Sequence, residues 1–107
     1  MDVVTRGGIY LVSLDPTMGS EIKKTRPCVV VSPPEIHDYL KTALVVPMTS
    51  GSRPTPFRVP VRFQNKNGLL LPEQIRAVDK VRLVKHLGQL EQDTADKLFA
   101  ILREMFA

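Results

Sequence analysis

The chain has 107 residues, 43% apolar and 24% charged, which suits one globular domain with a modest core that needs no disulfide or metal staples. A single cysteine excludes a disulfide framework, no apolar run approaches the roughly 20 residues of a membrane span, and Met1–Arg6 lacks the basic-then-apolar order of a signal peptide; a soluble, cytoplasmic protein is expected. The net charge of +4 is unevenly spread, with thirteen basic and six acidic residues over Val3–Leu90 but two and four over Glu91–Ala107, so the basic body suits nucleic acid or an acidic peptide.

Nine prolines and six glycines punctuate short segments, with no repeat or linker, which favours one small β-rich domain over residues 1–107. Gly8–Asp15 reads as the first strand and Pro16–Thr25 as a polar loop. Pro27–Ser32 is a second strand, nearly continuous in apolar residues and therefore expected to be covered on both faces. Pro33 and Pro34 end it. Thr42–Met48 is the third strand, followed by a polar loop over Thr49–Pro56. Phe57–Phe63 alternates with period two, setting Phe57, Val59, Val61 and Phe63 against Arg58, Pro60 and Arg62. An outward proline gives no ladder hydrogen bond, so this strand belongs at a sheet edge. Asn65–Gly68 reads as a turn, with strands at Gly68–Leu71 and Gln74–Val78 broken at Pro72. Val81–Leu87 fits either a strand or a helical turn followed by a strand. Leu98, Ile101, Leu102 and Met105 fall at i, i+3, i+4 and i+7, which predicts an amphipathic helix from about Gln92 to Phe106. Phe99 and Phe106 form a second strip that either meets another subunit or widens the core contact. The expected fold is mainly β with a C-terminal α-helix, a small barrel.

Most familiar catalytic patterns are absent: there is no phosphate-binding glycine loop, no histidine pair at metal spacing and no nucleophile elbow. Cys28 lies in an apolar strand and reads as a core residue; His37 and His86 read as structural or solvent-facing. What remains is three polar segments that can converge at one end of a small barrel. The first holds Gly19, Ser20, Glu21, Lys23, Lys24, Thr25 and Arg26. The second holds Thr49, Ser50, Ser52 and Arg53, and the third Glu73, Gln74 and Arg76. A guanidinium fork and hydroxyls are what the non-bridging oxygens of a phosphodiester need. Spacing alone equally allows Arg26 to pair with Glu21 while the hydroxyls cap turns.

The run RGGIYLVSLDPTMGSEIKKTRPCVVVSP, then VVPMTSGS, then GLLLPEQIRAVDKVRL, resembles the MazF/PemK toxin family of mRNA endoribonucleases. The matching segments are collinear and, with the strands between them, extend over nearly the whole chain. The resemblance implies an SH3-like barrel with a C-terminal helix, a homodimer, cleavage of single-stranded RNA with no metal or other cofactor, and a cognate antitoxin whose acidic tail occupies the RNA groove. It assigns catalysis to Arg26 and Thr49, with the loop glutamate at Glu21. It matches Ser50, Glu73 and Gln74 to the family's groove, and the polar loops add Gly19, Ser20, Arg53 and Arg76 as expected RNA contacts. Two departures stand out. Ser20 replaces the histidine of relatives with Gly-His-Glu in the first loop. Leu71 replaces the arginine that PemK-like members carry two residues before the carboxylate matched by Glu73.

So sparse a site suffices because RNA carries its own nucleophile, the 2′-hydroxyl beside the scissile phosphate. The protein must align it, stabilise charge on the phosphoryl oxygens and manage two protons. The expected products are a 2′,3′-cyclic phosphate and a 5′-hydroxyl. Two rivals share parts of this reading. A gyrase poison of the CcdB type depends on a tryptophan near its C-terminus, and this chain has no tryptophan. A non-catalytic barrel that binds RNA or an acidic peptide fits the basic body as well, and only Arg26 with Thr49 speaks against it.

Overall fold

The computed structural model describes residues 3–15, 18–21 and 24–107; the parts of the first polar loop at Pro16, Thr17, Ile22 and Lys23 lie outside them. Strands are β1 (Gly8–Ser13), β2 (Thr25–Val30), β3 (Thr42–Thr49), β4 (Val59–Phe63), β5 (Lys66–Leu70), β6 (Arg76–Asp79) and β7 (Leu83–Gln89). A one-turn helix, α1 (Pro34–His37), follows β2, and the long helix α2 (Gln92–Met105) ends the chain. Short 3-10 turns at Pro72–Gln74 and Lys80–Arg82 flank β6.

All strand pairs are antiparallel, in the order β4-β5-β3-β2-β1-β7. The eight-residue β3 is shared on its outer edge: Thr42–Val45 pairs with β6, whereas Met48 and Thr49 pair with β5. The sheet coils into a half-barrel, so that Phe63 on one terminal strand approaches Gly88 on the other.

Strand alternation explains the apolar run through β2. Cys28 and Val30 turn into one core with Tyr10, Val12 and Val45, while Val29 and Val31 turn into the other with Val46 and Leu70. Both faces are thus covered, as the unbroken hydrophobicity implies. Ala95, Leu98 and Leu102 of α2 close the second of these cores. Each fully buried aliphatic side chain there contributes about 1.5–3 kcal/mol.

Several boundaries differ from the sequence reading. Gln64 and Asn65 (φ 52° and 62°) make a two-residue turn of the type I′ kind, so β5 starts at Lys66 instead of Gly68. Phe57 precedes β4 and is 42% exposed, so the alternation overreaches by one apolar position. Pro60 is exposed on the terminal strand β4, at the sheet edge it predicts. The Val81–Leu87 alternatives resolve to a helical turn followed by a strand. Helix α1 has no counterpart in the sequence reading, although the prolines that stop β2 also preset the backbone for a helical first turn.

Met105, the last residue of α2, is 40% exposed and Phe106, which caps it, is 71% exposed, so neither joins the core. Phe99 instead widens the core contact, and the Arg6 guanidinium lies 4.1 Å over its ring. Of the two alternatives for His37 the structural one holds, for it is fully buried: Ser32 Oγ lies 2.9 Å from its Nδ1 and accepts the Leu44 amide at 3.2 Å, tying α1 to β3. His86 is exposed and stacks on Tyr10, with centroids 4.7 Å apart.

Candidate active site

The ladder between β2 and β3 pairs Cys28 with Pro47. Carried two residues further along both strands, the same register sets Arg26 level with Thr49. Alternation gives Arg26 the side of Cys28 and Thr49 the side of Pro47, so the two side chains share a face. They are half-buried and line one pocket of about 210 Å³, with Ser50 beside them. A residue from each of two adjacent strands is a rigid way to fix a guanidinium against a hydroxyl.

Thr49 Oγ1 accepts the Gly51 amide at 3.3 Å. Because that oxygen already acts as an acceptor, its own hydrogen is the one to be offered to an anion. Beneath it, Gly68 passes so close that a Cβ there would lie 2.9 Å from the Thr49 carbonyl oxygen. Glycine at 68 is therefore a packing requirement of the site.

The opposite wall comes from the β4–β5 hairpin, which supplies Phe63, Gln64, Lys66 and Asn67. The sequence reading missed these residues. Its turn was placed two residues too late, which hid that Lys66 faces the same pocket as Arg26; the polar Gln-Asn-Lys-Asn cluster after an alternating strand was the available signal. Arg26 and Lys66 are the two charged residues among the described ones lining this pocket, which gives it a cationic lining.

The other candidates lie apart from this pocket. Ser20, Glu21, Glu73, Gln74 and Arg76 line a second one of about 340 Å³. Glu21 Oε1 accepts the Met18 amide at 2.8 Å, folding the described part of the first loop into a turn in which Gly19 has φ 56°. Glu73 is gripped by Arg58 at 2.6 and 3.2 Å, a fork that holds the β4 entrance to the Pro72–Gln74 turn. Arg76 donates to the Leu14 carbonyl at 3.1 Å, and Arg82 donates to the carbonyls of Ser13 and Asp15. These two arginines brace the end of β1 and the base of the first loop. Arg53 is exposed and lines neither pocket; its carbonyl accepts from Arg58 at 2.8 Å.

Cys28 lies under the site, its thiol directed at the Arg26 carbonyl at 3.6 Å. Burial pushes the thiol up to about 12 from its ordinary 9.0, opposed only in part by Arg76. It is a packing group with no thiolate to offer. Among the described residues, no three His, Cys, Asp or Glu side chains are grouped so as to hold a metal ion, and no helix is long and apolar enough to cross a membrane.

A curved antiparallel sheet with one C-terminal helix and a cationic pocket at the rim of its middle strands is the class of protein defined so far. Residues 5–106 match the family of the PemK-like, MazF-like toxin of type II toxin–antitoxin systems. The chain is 31% identical over 96 residues to the endoribonuclease MazF of Staphylococcus epidermidis, covering 84% of this chain and 80% of that protein. It is 29% identical over 102 residues to the endoribonuclease EndoA of Bacillus subtilis (strain 168), covering 90% and 88%. In fold it is similar to MazF from Deinococcus radiodurans, with a TM-score of 0.87 at 22% identity over 99% of this chain and 98% of that one. It is also similar to a mycobacterial endoribonuclease in complex with its cognate antitoxin, with a TM-score of 0.81 at 20% identity over 97% and 95%. The chain belongs to the PemK-like, MazF-like toxin family.

Proposed function

We propose that this protein is an endoribonuclease toxin that cuts single-stranded mRNA at short specific sequences, acts as a homodimer in the cytoplasm, and is held inactive by a cognate antitoxin. The observation that carries this reading is the placement of Arg26 and Thr49 in one cationic pocket, from neighbouring strands. The names of the curated relatives and the antitoxin-bound structure among the fold neighbours support it.

In the proposed mechanism the scissile phosphate sits between Arg26 and Thr49. The Arg26 fork binds its non-bridging oxygens and Thr49 donates its hydroxyl hydrogen, which fixes the phosphorus for in-line attack. The neighbouring 2′-oxygen forms the new bond to phosphorus as the bond to the 5′-oxygen breaks. Charge rises on the phosphoryl oxygens, where preorganised donors stabilise the transition state. The 2′-hydroxyl proton must leave and the departing 5′-oxygen must gain one, giving a 2′,3′-cyclic phosphate and a 5′-hydroxyl. A guanidinium, with pKa above about 12, is a poor free base but can protonate a more basic alkoxide. The route uses side chains and the ribose alone, so it requires no metal. The antitoxin's acidic tail would compete for the cationic pocket.

The deciding experiment is incubation of purified protein with a long single-stranded RNA in chelator, followed by mapping of the new ends. Cleavage at a short recurring sequence with cyclic-phosphate ends is expected. Binding without scission, or trapping of gyrase instead, would overturn the proposal.

A further inference from the structure

The groove does not stop at Arg26 and Thr49. A larger pocket of about 440 Å³ opens between the two ends of the half-barrel and the start of α2, and it shares Phe63, Gln64, Asn67 and Gly68 with the catalytic pocket. The two therefore adjoin at the β4–β5 hairpin, which lines both. The chemistry changes from one to the other. The Arg26 end carries two cations, whereas the larger pocket balances Arg62 against Glu91 and otherwise offers carboxamides and the hydroxyl of Thr94. A phosphate is favoured at the first end and not the second. Carboxamides, with directed donors and an acceptor, suit the edge of an unstacked base.

Two further features of the hairpin point the same way. Asn67 Oδ1 accepts from Arg62 Nη1 at 3.1 Å, across a directly paired position of β4 and β5. With its oxygen engaged, the Asn67 amide is turned so that its N–H groups are the ones to be offered. Gln64 adopts φ 52°, a left-handed conformation that glycine or asparagine takes at less cost. A glutamine held in that conformation, on the rim shared by both pockets, is better accounted for by what its side chain does than by the turn it makes.

We propose that Gln64 and Asn67 read the base next to the scissile phosphate, with Phe63 as the apolar floor and Arg62 as a positioning residue that orients Asn67. This rests on the endoribonuclease reading and adds to it the residues that set the cleavage sequence. The two carboxamides recognise one base by its hydrogen-bonding edge, so removing either relaxes one position of the recognised sequence and leaves the others.

The test compares end-mapped cleavage of a long single-stranded RNA by the full chain and by Asn67→Ala, Arg62→Ala and Gln64→Gly, with thermal melting of each. Asn67→Ala is expected to lose roughly 10- to 100-fold of the discrimination at a single position flanking the cut. Arg62→Ala relaxes the same position, and the double variant is no worse than the poorer single one, because both act through one amide. Gln64→Gly relieves the left-handed backbone, so it is expected to melt higher than the parent while still losing discrimination; a purely structural glutamine would give only the first effect. Variants that cut the parent sequence with undiminished preference would overturn this inference and leave the endoribonuclease reading intact. A parent chain that cuts nothing would overturn both.

Discussion

In the proposed mechanism Arg26 and Thr49 would have different duties at the same phosphate, and substitution of Arg26 tests its share. Arg26→Ala is expected to abolish cleavage with the fold retained, and Arg26→Lys to leave it abolished, because an ammonium is a point charge without the fork; turnover by either variant within about tenfold of the parent, measured as initial rate, would rule out the assignment. In the proposed reaction Glu21, which lines the second pocket, would either accept the 2′-hydroxyl proton or position Arg26. Glu21→Gln keeps a hydrogen-bonding group and removes the base, so a fall in kcat of about 100-fold or more is expected if Glu21 takes the proton, and a near-parental rate would exclude it as the base. Cys28 should resist alkylation in the native state at neutral pH and react only on unfolding. Its folded value of about 12 stands above the ordinary 9.0, so the unfolded chain gives up this proton first as pH rises. The stability held by the neutral thiol is complete below about 9.0 and is lost progressively toward 12; denaturant midpoints that do not shift for Cys28→Ala relative to the parent across that window would contradict this.

The β4–β5 hairpin is the element on which most of the site geometry depends. It brings Lys66 opposite Arg26 and presses Gly68 against Thr49. Gly68→Ala forces a methyl to within 2.9 Å of a backbone oxygen that cannot swing aside. The expected cost is about 1–3 kcal/mol in denaturant unfolding, together with slower cleavage as Thr49 shifts. Gly51→Ala is the stability control, since no heavy atom lies within 4 Å of its Cβ position. A Gly68→Ala variant as stable as the control would show that the strands slide apart without cost. The short register of this hairpin was also the least legible part of the sequence. Period-two hydrophobicity marked β4, but Gln64 and Asn65 are not the Asn-Gly pair that announces a two-residue turn, so the strand after it was placed too late. In contrast, β2, β3 and α2 were legible because each buries a stripe or a whole strand, and burial leaves its period in the residues.

Across the whole molecule, the basic body and the acidic terminal helix give the protein a polarised field. If Arg26, Lys66 and their neighbours meet RNA phosphates, affinity for a non-cleavable single-stranded RNA should fall as salt rises, with a log–log slope of about −0.7 per phosphate neutralised. A slope indistinguishable from zero between 50 and 200 mM salt, a range over which phosphate binders weaken strongly, would mean that the cationic pocket does not engage the backbone. The family resemblance was legible at this scale because its segments, from the arginine before β2 to the last strands, recur in order along the chain. Spacing could not separate the candidates into two pockets, nor show Glu73 in the grip of Arg58.

The residues alone determined a β-rich fold with an amphipathic helix after its last strand, because hydrophobic period and proline placement act over a few neighbouring positions. They also supplied the guanidinium and the hydroxyl that matter most. Only the folded chain decided that these two line one pocket, since Arg26 and Thr49 lie on neighbouring strands joined by a helix and a turn. The hairpin wall with Lys66, Gln64 and Asn67 was likewise a tertiary outcome: which side of a pocket a polar side chain faces depends on backbone signs and strand partners distant in sequence, and those leave no local period to read.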